Sequence, residues 1–309
     1  MSIKPPDAPR RIAFEGPEIP VESTEEPDDL ASDVSRETTL PRPRATRIFV
    51  IANQKGGVGK TTTAVNIATA LALGGLEVLV VDLDPQGNAS TALGIEHHEG
   101  IRGTYEALTA GVPIAELAQP SPEAEGLWVV PATIDLAGAE IGLVNTPARE
   151  SQLLHALRDY VAERRPDYVF IDCPPSLGLL TLNALVAATE ILIPIQCEYY
   201  ALEGVTQLLR TINLVKGSMN DQLYLSTVLL TMFDGRTRLA TQVSAEVRKH
   251  FAAQTLEAVI PRSVRVSEAP SYGQTVLTYH PASAGAQAYF HAATEIAQRG
   301  AAVAEERSA

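Results

Sequence analysis

The sequence predicts an α/β fold, a doubly wound and mostly parallel twisted sheet with helices on both faces. Three observations lead to this prediction. Short continuous runs of β-branched and aliphatic residues, typical of strands buried on both sides, alternate with longer segments of helical periodicity. A glycine-rich turn joins the first run to the first helix, and an acidic residue ends two later runs. Alternation of this kind gives parallel strands linked by right-handed crossovers.

Composition narrows the class of protein. With 309 residues, the chain is long enough to bury about three quarters of its unfolded surface without covalent staples. The two cysteines, Cys173 and Cys197, are too few for a disulfide framework, which indicates a reducing cytosol. The chain has neither a membrane-spanning apolar run nor the apolar core of a signal peptide. A net charge of −13 argues against general attraction to nucleic acid but permits a local basic face.

The first 45 residues predict a disordered acidic tail. They are rich in Pro, Glu, Asp, Ser and Thr, and residues 1–46 hold six basic and ten acidic residues, a net of −4. Such a composition buries too little apolar surface to offset chain ordering. Two interpretations stay open: a solubilising extension, or a tail that docks on a scaffold protein, with residues 33–37 the least biased stretch. The folded domain is expected at 46–300, followed by a flexible C-terminus at 301–309.

The first strand, at 48–52, leads into N-Q-K-G-G-V-G-K-T-T at residues 53–62, and a helical pattern begins near Thr61. Strand, glycine-rich turn and helix form the context of a phosphate-binding loop, because glycines let successive backbone N–H groups surround phosphate oxygens. Lys60 is placed to reach the β- and γ-phosphates, and the Thr61 hydroxyl to ligate Mg²⁺. The predicted nucleotide contacts are Lys55, Gly56, Gly57, Val58, Gly59, Lys60, Thr61 and Thr62.

One position departs from the usual phosphate-binding pattern G-x-x-x-x-G-K-[ST]. Gln54 occupies the first glycine position, and a second lysine, Lys55, stands at the front of the loop. The plain alternative is a glycine-rich turn with two solvated lysines. The flanking strand and helix and both hydroxyl residues favour the phosphate-binding interpretation.

Two further strands end in acidic residues. The run at 77–81 is followed by Asp82 and Asp84, and the run at 168–171 is followed by Asp172. Ligands of doubly wound sheets bind at the carboxyl ends of strands, so these acids are expected beside the phosphate-binding loop. Asp82 or Asp84 could orient an attacking water, and Asp172 resembles a Walker B acid near Mg²⁺. A polar strand exit is the plain alternative, and the prolines after Cys173 mark a candidate switch loop.

The rest of the sequence continues the alternation of predicted strands and helices. Residues 100–150 read as an irregular insertion around one short strand at 127–130. Helices are predicted from 151 to about 164, around 205–215, at about 240–251 and at about 282–298; strands at 191–194, 225–230 and 256–260; and a loop at 261–270.

With these residues in place, the chain resembles the ParA/Soj chromosome-partitioning ATPases of the deviant Walker A group. The resemblance covers about 47 to 298 and rests on five ordered motifs: N-Q-K-G-G-V-G-K-T-T-T, V-D-L-D-P-Q-G-N-A-S, Y-V-F-I-D-C-P-P-S-L-G, E-Y-Y-A-L-E-G and P-R-S-V-R-V-S-E-A-P-S-Y-G. It implies an ATP- and Mg²⁺-dependent ATPase that forms a nucleotide sandwich dimer.

The same resemblance assigns roles to individual residues. It implies that Lys55 crosses to the partner subunit's phosphates, as an arginine finger does when supplied in trans. Lys60 and Thr61 would hold phosphate and Mg²⁺, and Asp84 would position the hydrolytic water. Asp82 and Asp172 would lie near the metal. Adenine would be bordered by Met232, Pro261 and Arg262.

Family resemblance also implies partners. The ATP-bound homodimer would bind double-stranded DNA without sequence preference, on the nucleoid, and a ParB-like centromere-binding protein would stimulate hydrolysis and dissociate it. The window 234–268 carries a net charge of +2, from six basic and four acidic residues. The predicted DNA-binding residues are Arg236, Arg238, Lys249 and Arg265, followed by Arg210 and Lys216. At the position of the family's DNA-contacting arginine this chain has Asn213.

Other classes of P-loop protein fit the sequence less well. A MinD-type membrane ATPase needs a basic amphipathic C-terminal helix. Residues 300–309 are mostly small, with two glutamates and a single arginine, so membrane binding is not expected. An iron–sulfur reductase would need cluster cysteines, and a self-repressing plasmid partition ATPase would need an N-terminal helix-turn-helix. A small-molecule biosynthetic P-loop enzyme, such as a dethiobiotin or cobyrinate enzyme, stays open as the second hypothesis.

Overall fold

The fold is described from a computed structural model, which covers residues 39–198 and 201–306. Its strands are β1 (Arg47–Ile51), β2 (Val78–Asp82), β3 (Gln119–Pro120), β4 (Leu127–Val130), β5 (Tyr168–Asp172), β6 (Glu190–Gln196), β7 (Tyr224–Phe233) and β8 (Thr255–Pro261). Its helices are α1 (Lys60–Leu73), α2 (Asn88–Ala92), α3 (Thr104–Thr109), α4 (Ile114–Leu117), α5 (Ala139–Gly142), α6 (Gln152–Arg164), α7 (Leu179–Ala187), α8 (Ala201–Ser218), α9 (Arg238–His250), α10 (Val264–Glu268), α11 (Val276–Tyr279) and α12 (Ala284–Glu306).

The strands form one sheet in the order β3-β4-β2-β5-β1-β6-β7-β8. Every pairing is parallel except the one between the short edge strand β3 and β4. The chain winds outward from β1 in both directions, which confirms the predicted doubly wound, mostly parallel sheet. The first helix follows β1, so α1 begins at the point where the strand order reverses, and that is where ligands bind in such sheets.

Alternate residues of each strand belong to different sides of the sheet. One core contains Val50, Val81 and Ile171 from the sheet and the buried faces of α3, α6, α7, α8 and α9. The other contains Ile51, Val80 and Phe170, packed against α1, α2 and α12. Because both faces are covered, the central strands are apolar along their middle residues and carry charged residues only at their ends, as is typical of buried parallel strands.

The segment before β1 belongs to the folded domain from at least residue 39. Leu40 is 6% exposed, and its backbone N–H donates to the Gly74 carbonyl at 2.9 Å. Arg42 donates to Asp167 at 2.7 Å and to the Gly75 carbonyl at 2.8 Å. The ordered contacts therefore begin several residues before the predicted tail boundary at 45. The rest of the predicted tail, residues 1–38, lies outside the described residues.

Other segments also differ from the sequence prediction. Helix α12 continues to Glu306, past the predicted boundary at 300. The 100–150 insertion contains α3, α4, α5 and the edge strand β3 in addition to the predicted strand. The predicted loop at 261–270 contains α10 and the start of a 3₁₀ turn at Ala269–Tyr272. The additional helices are short, and helices of one or two turns carry too little periodicity to be identified from sequence.

Candidate active site

The glycine-rich loop joins β1 to α1 at the carboxyl edge of the sheet. Gly57 (φ 75°) and Gly59 (φ 88°) adopt the left-handed conformation, which explains why glycine is needed there. A Cβ added at either position would meet no atom within 4 Å, so the loop borders open space. The Thr231 hydroxyl donates to the Val58 carbonyl at 2.9 Å and ties the loop to β7. The loop is held in shape from its outer side and open where a phosphate would lie.

Lys60 is the first residue of α1 and is only 7% exposed. Its ammonium donates to the Lys55 carbonyl at 3.4 Å. Burial lowers the pKa of Lys60, while the charges of Asp172 and Asp84 act in the opposite direction. Lysine and carboxylates therefore share one site, as the sequence predicted for the loop and the two acidic strand ends.

Asp82 and Asp172 end the neighbouring strands β2 and β5 and are register partners. Both are completely buried. Asp82 is well bonded: the Ser90 backbone N–H and hydroxyl donate to Oδ2 at 2.8 and 2.7 Å, and the Asp84 N–H donates to Oδ1 at 3.1 Å. Burial nevertheless raises the pKa of Asp82 to about 6.

Asp172, unlike Asp82, accepts no hydrogen bond. Neither carboxylate oxygen has a hydrogen-bond partner of ordinary geometry. Burial, and then the neighbouring charge of Asp82, raise its pKa well above the usual value. The Thr61 hydroxyl lies near enough to oppose this rise in pKa, although it forms no well-shaped bond to the carboxylate. A buried carboxylate without partners is a group that a cation or an ordered water completes.

Asp84 lies in the turn after β2 and is partly exposed. Its Oδ1 accepts a hydrogen bond from the Gln86 N–H at 3.1 Å, which orients the carboxylate. Its charge acts on Lys60 and on Asp172. Asp84 therefore belongs to the same site but, unlike Asp82, is open to solvent.

The front lysine of the loop, Lys55, is held within its own chain. Its ammonium lies 3.0 Å from Glu198 Oε2, just after β6. Its backbone N–H donates to Asn53 Oδ1 at 3.0 Å, and the Asn53 amide donates to the Pro194 carbonyl at 2.8 Å. Lys55 therefore approaches the end of β6 through both its main chain and its side chain.

The three residues predicted to border adenine are brought together at the ends of β7 and β8. Met232 has a positive φ of 51°, where the register with β8 is irregular. Pro261 is the register partner of Phe233, and the Arg262 N–H donates to the Phe233 carbonyl at 3.1 Å. The Arg262 guanidinium lies 3.9 Å from Glu198 Oε1, so this corner adjoins Lys55.

Comparison with known proteins identifies the family. A family model described as an AAA domain matches residues 46–225. The chromosome partitioning protein ParA of Myxococcus xanthus is 54% identical over 254 residues, 82% of this chain and 88% of that protein. The sporulation initiation inhibitor protein Soj of Bacillus subtilis is 50% identical over 254 residues, 82% of this chain and 99% of its own length.

The chain belongs to the ParA/Soj family of chromosome-partitioning ATPases. This confirms the resemblance that the five motifs indicated. Among solved structures, the cobyrinic acid a,c-diamide synthase of Mycobacterium smegmatis, with bound ADP and magnesium, superposes with a TM-score of 0.69. It is 39% identical and covers 80% of this chain and 92% of its own length. This likeness supports the P-loop fold.

The predicted DNA-binding residues of this ParA/Soj-family chain are exposed. Some of them already form an ion pair with a neighbouring carboxylate, and others do not. Arg236 forms a two-pronged ion pair with Asp234, both contacts at 2.9 Å, which lowers the pKa of Asp234 to about 2. Arg265 pairs with Glu268 at 3.0 Å. Arg238 and Lys249 have no ion-pair partner among the residues that the structure describes.

The basic residues are also distributed over different elements. Arg238 and Lys249 both lie on α9, eleven residues apart, which places them on nearly the same side of the helix and about 16 Å apart along it. Arg210 and Lys216 lie on the exposed surface of α8, as does Asn213. Helices α8 and α9 cover the same face of the sheet, whereas Arg265 lies on α10.

Several residues of the site were not singled out from the sequence. Ser90 supports Asp82, Thr104 donates to the Asp82 carbonyl at 2.7 Å, and Glu198 contacts Lys55. Ser90 and Glu198 fall inside the quoted motifs V-D-L-D-P-Q-G-N-A-S and E-Y-Y-A-L-E-G, which was the only signal for them. Their partners are distant in sequence or on another element, so the pattern could not assign roles.

The described residues form neither a membrane-spanning helix nor a metal site made of protein ligands alone. Within residues 39–198 and 201–306, no helix is both long and apolar enough to cross a membrane. In the same part of the chain, no three His, Cys, Asp or Glu side chains converge into a ready-made metal cage.

Proposed function

We propose that this chain is an ATP-dependent DNA-segregation ATPase. ATP binding forms a sandwich dimer that binds DNA without sequence preference, and hydrolysis stimulated by a ParB-like protein dissociates it. The observation that carries the proposal is the buried pair Asp82 and Asp172 beside Lys60 and the open glycine-rich loop. The chromosome partitioning proteins ParA of Myxococcus xanthus and Caulobacter vibrioides, at 54% and 51% identity, support the biological role.

ATP is held by the loop from Lys55 to Thr62 in this proposal, with Lys60 at the phosphates. The residues present also fit Mg²⁺. Two completely buried carboxylates lie side by side, and Asp172 has no partner for either oxygen. Mg²⁺ typically takes one or two carboxylates and completes its shell with waters and substrate phosphates, so no protein cage is required. Thr61, Asp82 and Asp172 would hold it, and its charge would offset the charge that develops on the phosphates.

Hydrolysis then depends on three residues with different positions. Lys60 is buried and charge-coupled to Asp172, which suits a fixed phosphate contact. Asp84 is partly exposed and oriented by Gln86, which suits a group that holds the attacking water. Lys55 lies at the front of the loop and supplies positive charge to the partner subunit's ATP, so hydrolysis requires the dimer.

The base-binding corner consists of Met232, Pro261 and Arg262. The positive φ of Met232 and the irregular β7–β8 register turn the strand ends away from regular pairing. Irregularities at the ends of neighbouring strands leave space beside a sheet edge, where the base would lie. This corner adjoins the front of the phosphate-binding loop, because Glu198 contacts both Arg262 and Lys55.

DNA binding follows from dimerisation, because two weak basic faces act together only in the dimer. Arg238, Lys249, Arg210 and Lys216 contribute on α9 and α8; Arg236 and Arg265 contribute less, since each already has a carboxylate partner. Phosphate contacts alone give affinity without sequence preference. In the cell the protein would cycle between a nucleoid-bound dimer and a free cytoplasmic monomer. The acidic N-terminal segment would serve either as a solubilising extension or as a docking segment for a scaffold protein.

A biosynthetic role is the second candidate, because a cobyrinic acid a,c-diamide synthase is 39% identical to this chain. ATP hydrolysis rates distinguish the partition function from the biosynthetic function. They are measured with DNA plus the cognate ParB-like protein, and separately with cobyrinic acid plus glutamine. The partition proposal predicts stimulation by DNA and the partner together and none by the small molecules. The reverse pattern would replace it with the biosynthetic function.

A further inference from the structure

Lys55 is engaged inside its own subunit by an ion pair with Glu198. The Lys55 ammonium lies 3.0 Å from Glu198 Oε2, and the two side chains are 36% and 45% exposed. The partners are 143 positions apart in sequence but lie at the ends of β1 and β6, which are adjacent strands. Lys55, which the proposed function assigns to the partner subunit's nucleotide, is thus paired within its own subunit.

The surroundings of Glu198 favour a reversible contact. Its other oxygen, Oε1, accepts a hydrogen bond from the Gln196 amide at 2.6 Å, and the Arg262 guanidinium lies 3.9 Å away. If Lys55 leaves, Glu198 keeps these two partners and is not left as an isolated charge. Lys55 in turn gains the larger negative charge of the triphosphate. Because partners are exchanged on both sides, the departure of Lys55 costs little free energy.

We propose that Glu198 is a positioning residue that holds Lys55 in cis in the nucleotide-free monomer and must release it before Lys55 can serve the partner's ATP. This inference rests on the proposed function, because it assumes that Lys55 acts in trans. It adds a free-energy cost to dimerisation, because each subunit has to break its own Lys55–Glu198 ion pair before the dimer forms. Dimerisation therefore becomes more dependent on ATP than the dimer contacts alone would make it.

The restraint is modest in size. Exposed ion pairs shift equilibria by about two- to fivefold, because solvent and salt screen them. Two pairs break for each dimer formed, so the combined effect on the dimer dissociation constant is about 4- to 25-fold. Such a restraint lowers the population of dimer without preventing its formation.

The first test measures the cis contact directly and needs no nucleotide. The chain has five lysines, and acylation of each by limiting acetic anhydride can be quantified by peptide mass spectrometry. Lys216 and Lys249 are exposed and serve as internal references. In Glu198→Gln, acylation of Lys55 relative to these references should rise about two- to fivefold, and the rise should shrink at high salt. Unchanged Lys55 acylation in Glu198→Gln would overturn the inference.

Glu268→Gln is the matched control, since Glu268 also forms an exposed ion pair, with Arg265 at 3.0 Å. It should leave Lys55 acylation at the wild-type value. A rise equal to that of Glu198→Gln would show that the effect is not specific to the Lys55–Glu198 pair and would overturn the inference.

The second test measures dimer formation with a non-hydrolysable ATP analogue by analytical ultracentrifugation. Glu198→Gln should tighten the dimer by about 4- to 25-fold relative to wild type and to Glu268→Gln. A weaker dimer would show that Glu198 acts within the dimer instead. If wild type itself forms no dimer, the proposed function fails, and this inference with it. A normal wild-type dimer with no change in Glu198→Gln would remove the inference alone.

Discussion

Asp82 and Asp172 lie side by side at the carboxyl ends of adjacent parallel strands, both fully buried, and only Asp82 has hydrogen-bond partners. Burial raises the pKa of both carboxyls, and the charge of Asp82 raises that of Asp172 further. The buried pair therefore lowers the stability of the fold, and a positive charge placed beside it would offset this cost.

Replacing Asp172 by asparagine should stabilise the nucleotide-free fold. An acid whose folded pKa is raised lowers stability above its usual pKa of 3.8, and this loss grows as pH rises toward the folded pKa. At about pH 7.5, Asp172→Asn should therefore be about 1–3 kcal/mol more stable than wild type, and the advantage should shrink toward about pH 4. Urea unfolding at several pH values measures this.

The control for that series is Asp159→Asn, an exposed position on α6, which should change stability little at any pH. The same Asp172→Asn protein should lose ATP hydrolysis despite its higher stability. Lower stability of Asp172→Asn at neutral pH would contradict the description of Asp172 as a buried carboxylate without partners.

Removing the Lys60 ammonium should abolish most ATP binding. The side chain is buried beside two carboxylates, so it is a fixed part of the site and not a solvated charge. Loss of such a charge partner typically costs about 2–5 kcal/mol, so Lys60→Ala should bind ATP about 30-fold more weakly or worse. Isothermal titration calorimetry measures the affinity, with Lys249→Ala as a control. Near-native affinity in Lys60→Ala would reject the phosphate-binding role.

Truncation should separate the two parts of the N-terminal segment. Leu40 is buried against α1 and Arg42 pairs with Asp167, so removal of residues 1–45 should lower the unfolding free energy. Removal of residues 1–38 keeps both contacts and should leave it unchanged. Leu40→Ala in the full chain should cost about 2–3 kcal/mol, toward the lower end for buried leucines. Equal stability of both truncations would show that the 39–45 contacts contribute nothing.

Much of this site was predictable because each of its main residues lies close in sequence to a recognisable strand or loop pattern. Asp82 and Asp172 end strands whose continuous apolar runs mark them as buried, and Lys60 ends the glycine-rich loop after another such strand. Parallel strands bring their carboxyl ends to one edge of the sheet. Helix α7 was missed for a physical reason: seven of its nine residues are buried, so it has no polar face to reveal a helical period.

Other parts depend on contacts that sequence spacing cannot supply. The Lys55–Glu198 pair joins residues 143 positions apart, and Asp234 and Glu268 reduce the availability of Arg236 and Arg265 only through side-chain geometry. The burial of Leu40 arises from packing on Gly74 at the end of α1, within a stretch whose composition resembles a linker.

The ion pairs of the basic residues predict which of them contribute most to DNA affinity. Arg238→Ala and Lys249→Ala should each weaken non-specific binding. Each should also reduce the slope of log affinity against log salt by about 0.9 for every DNA phosphate that the variant no longer neutralises. Arg236→Ala and Arg265→Ala should have smaller effects because both arginines already neutralise a carboxylate. Fluorescence anisotropy at several salt concentrations, with a non-hydrolysable ATP analogue, measures both quantities. The opposite order would place the DNA-binding face nearer α10.

DNA co-sedimentation with and without ATP measures most directly whether ATP-dependent dimerisation creates the DNA-binding state. Asp84→Ala should bind ATP, form a stable dimer and stay on DNA, because the attacking water is no longer held. Lys55→Ala should bind ATP as a monomer and stay off DNA. Wild type should bind DNA with ATP, and not with ADP. Failure of wild type and Asp84→Ala to bind DNA with ATP at low salt, or equal binding with ADP, would contradict the proposed coupling of ATP, dimer and DNA.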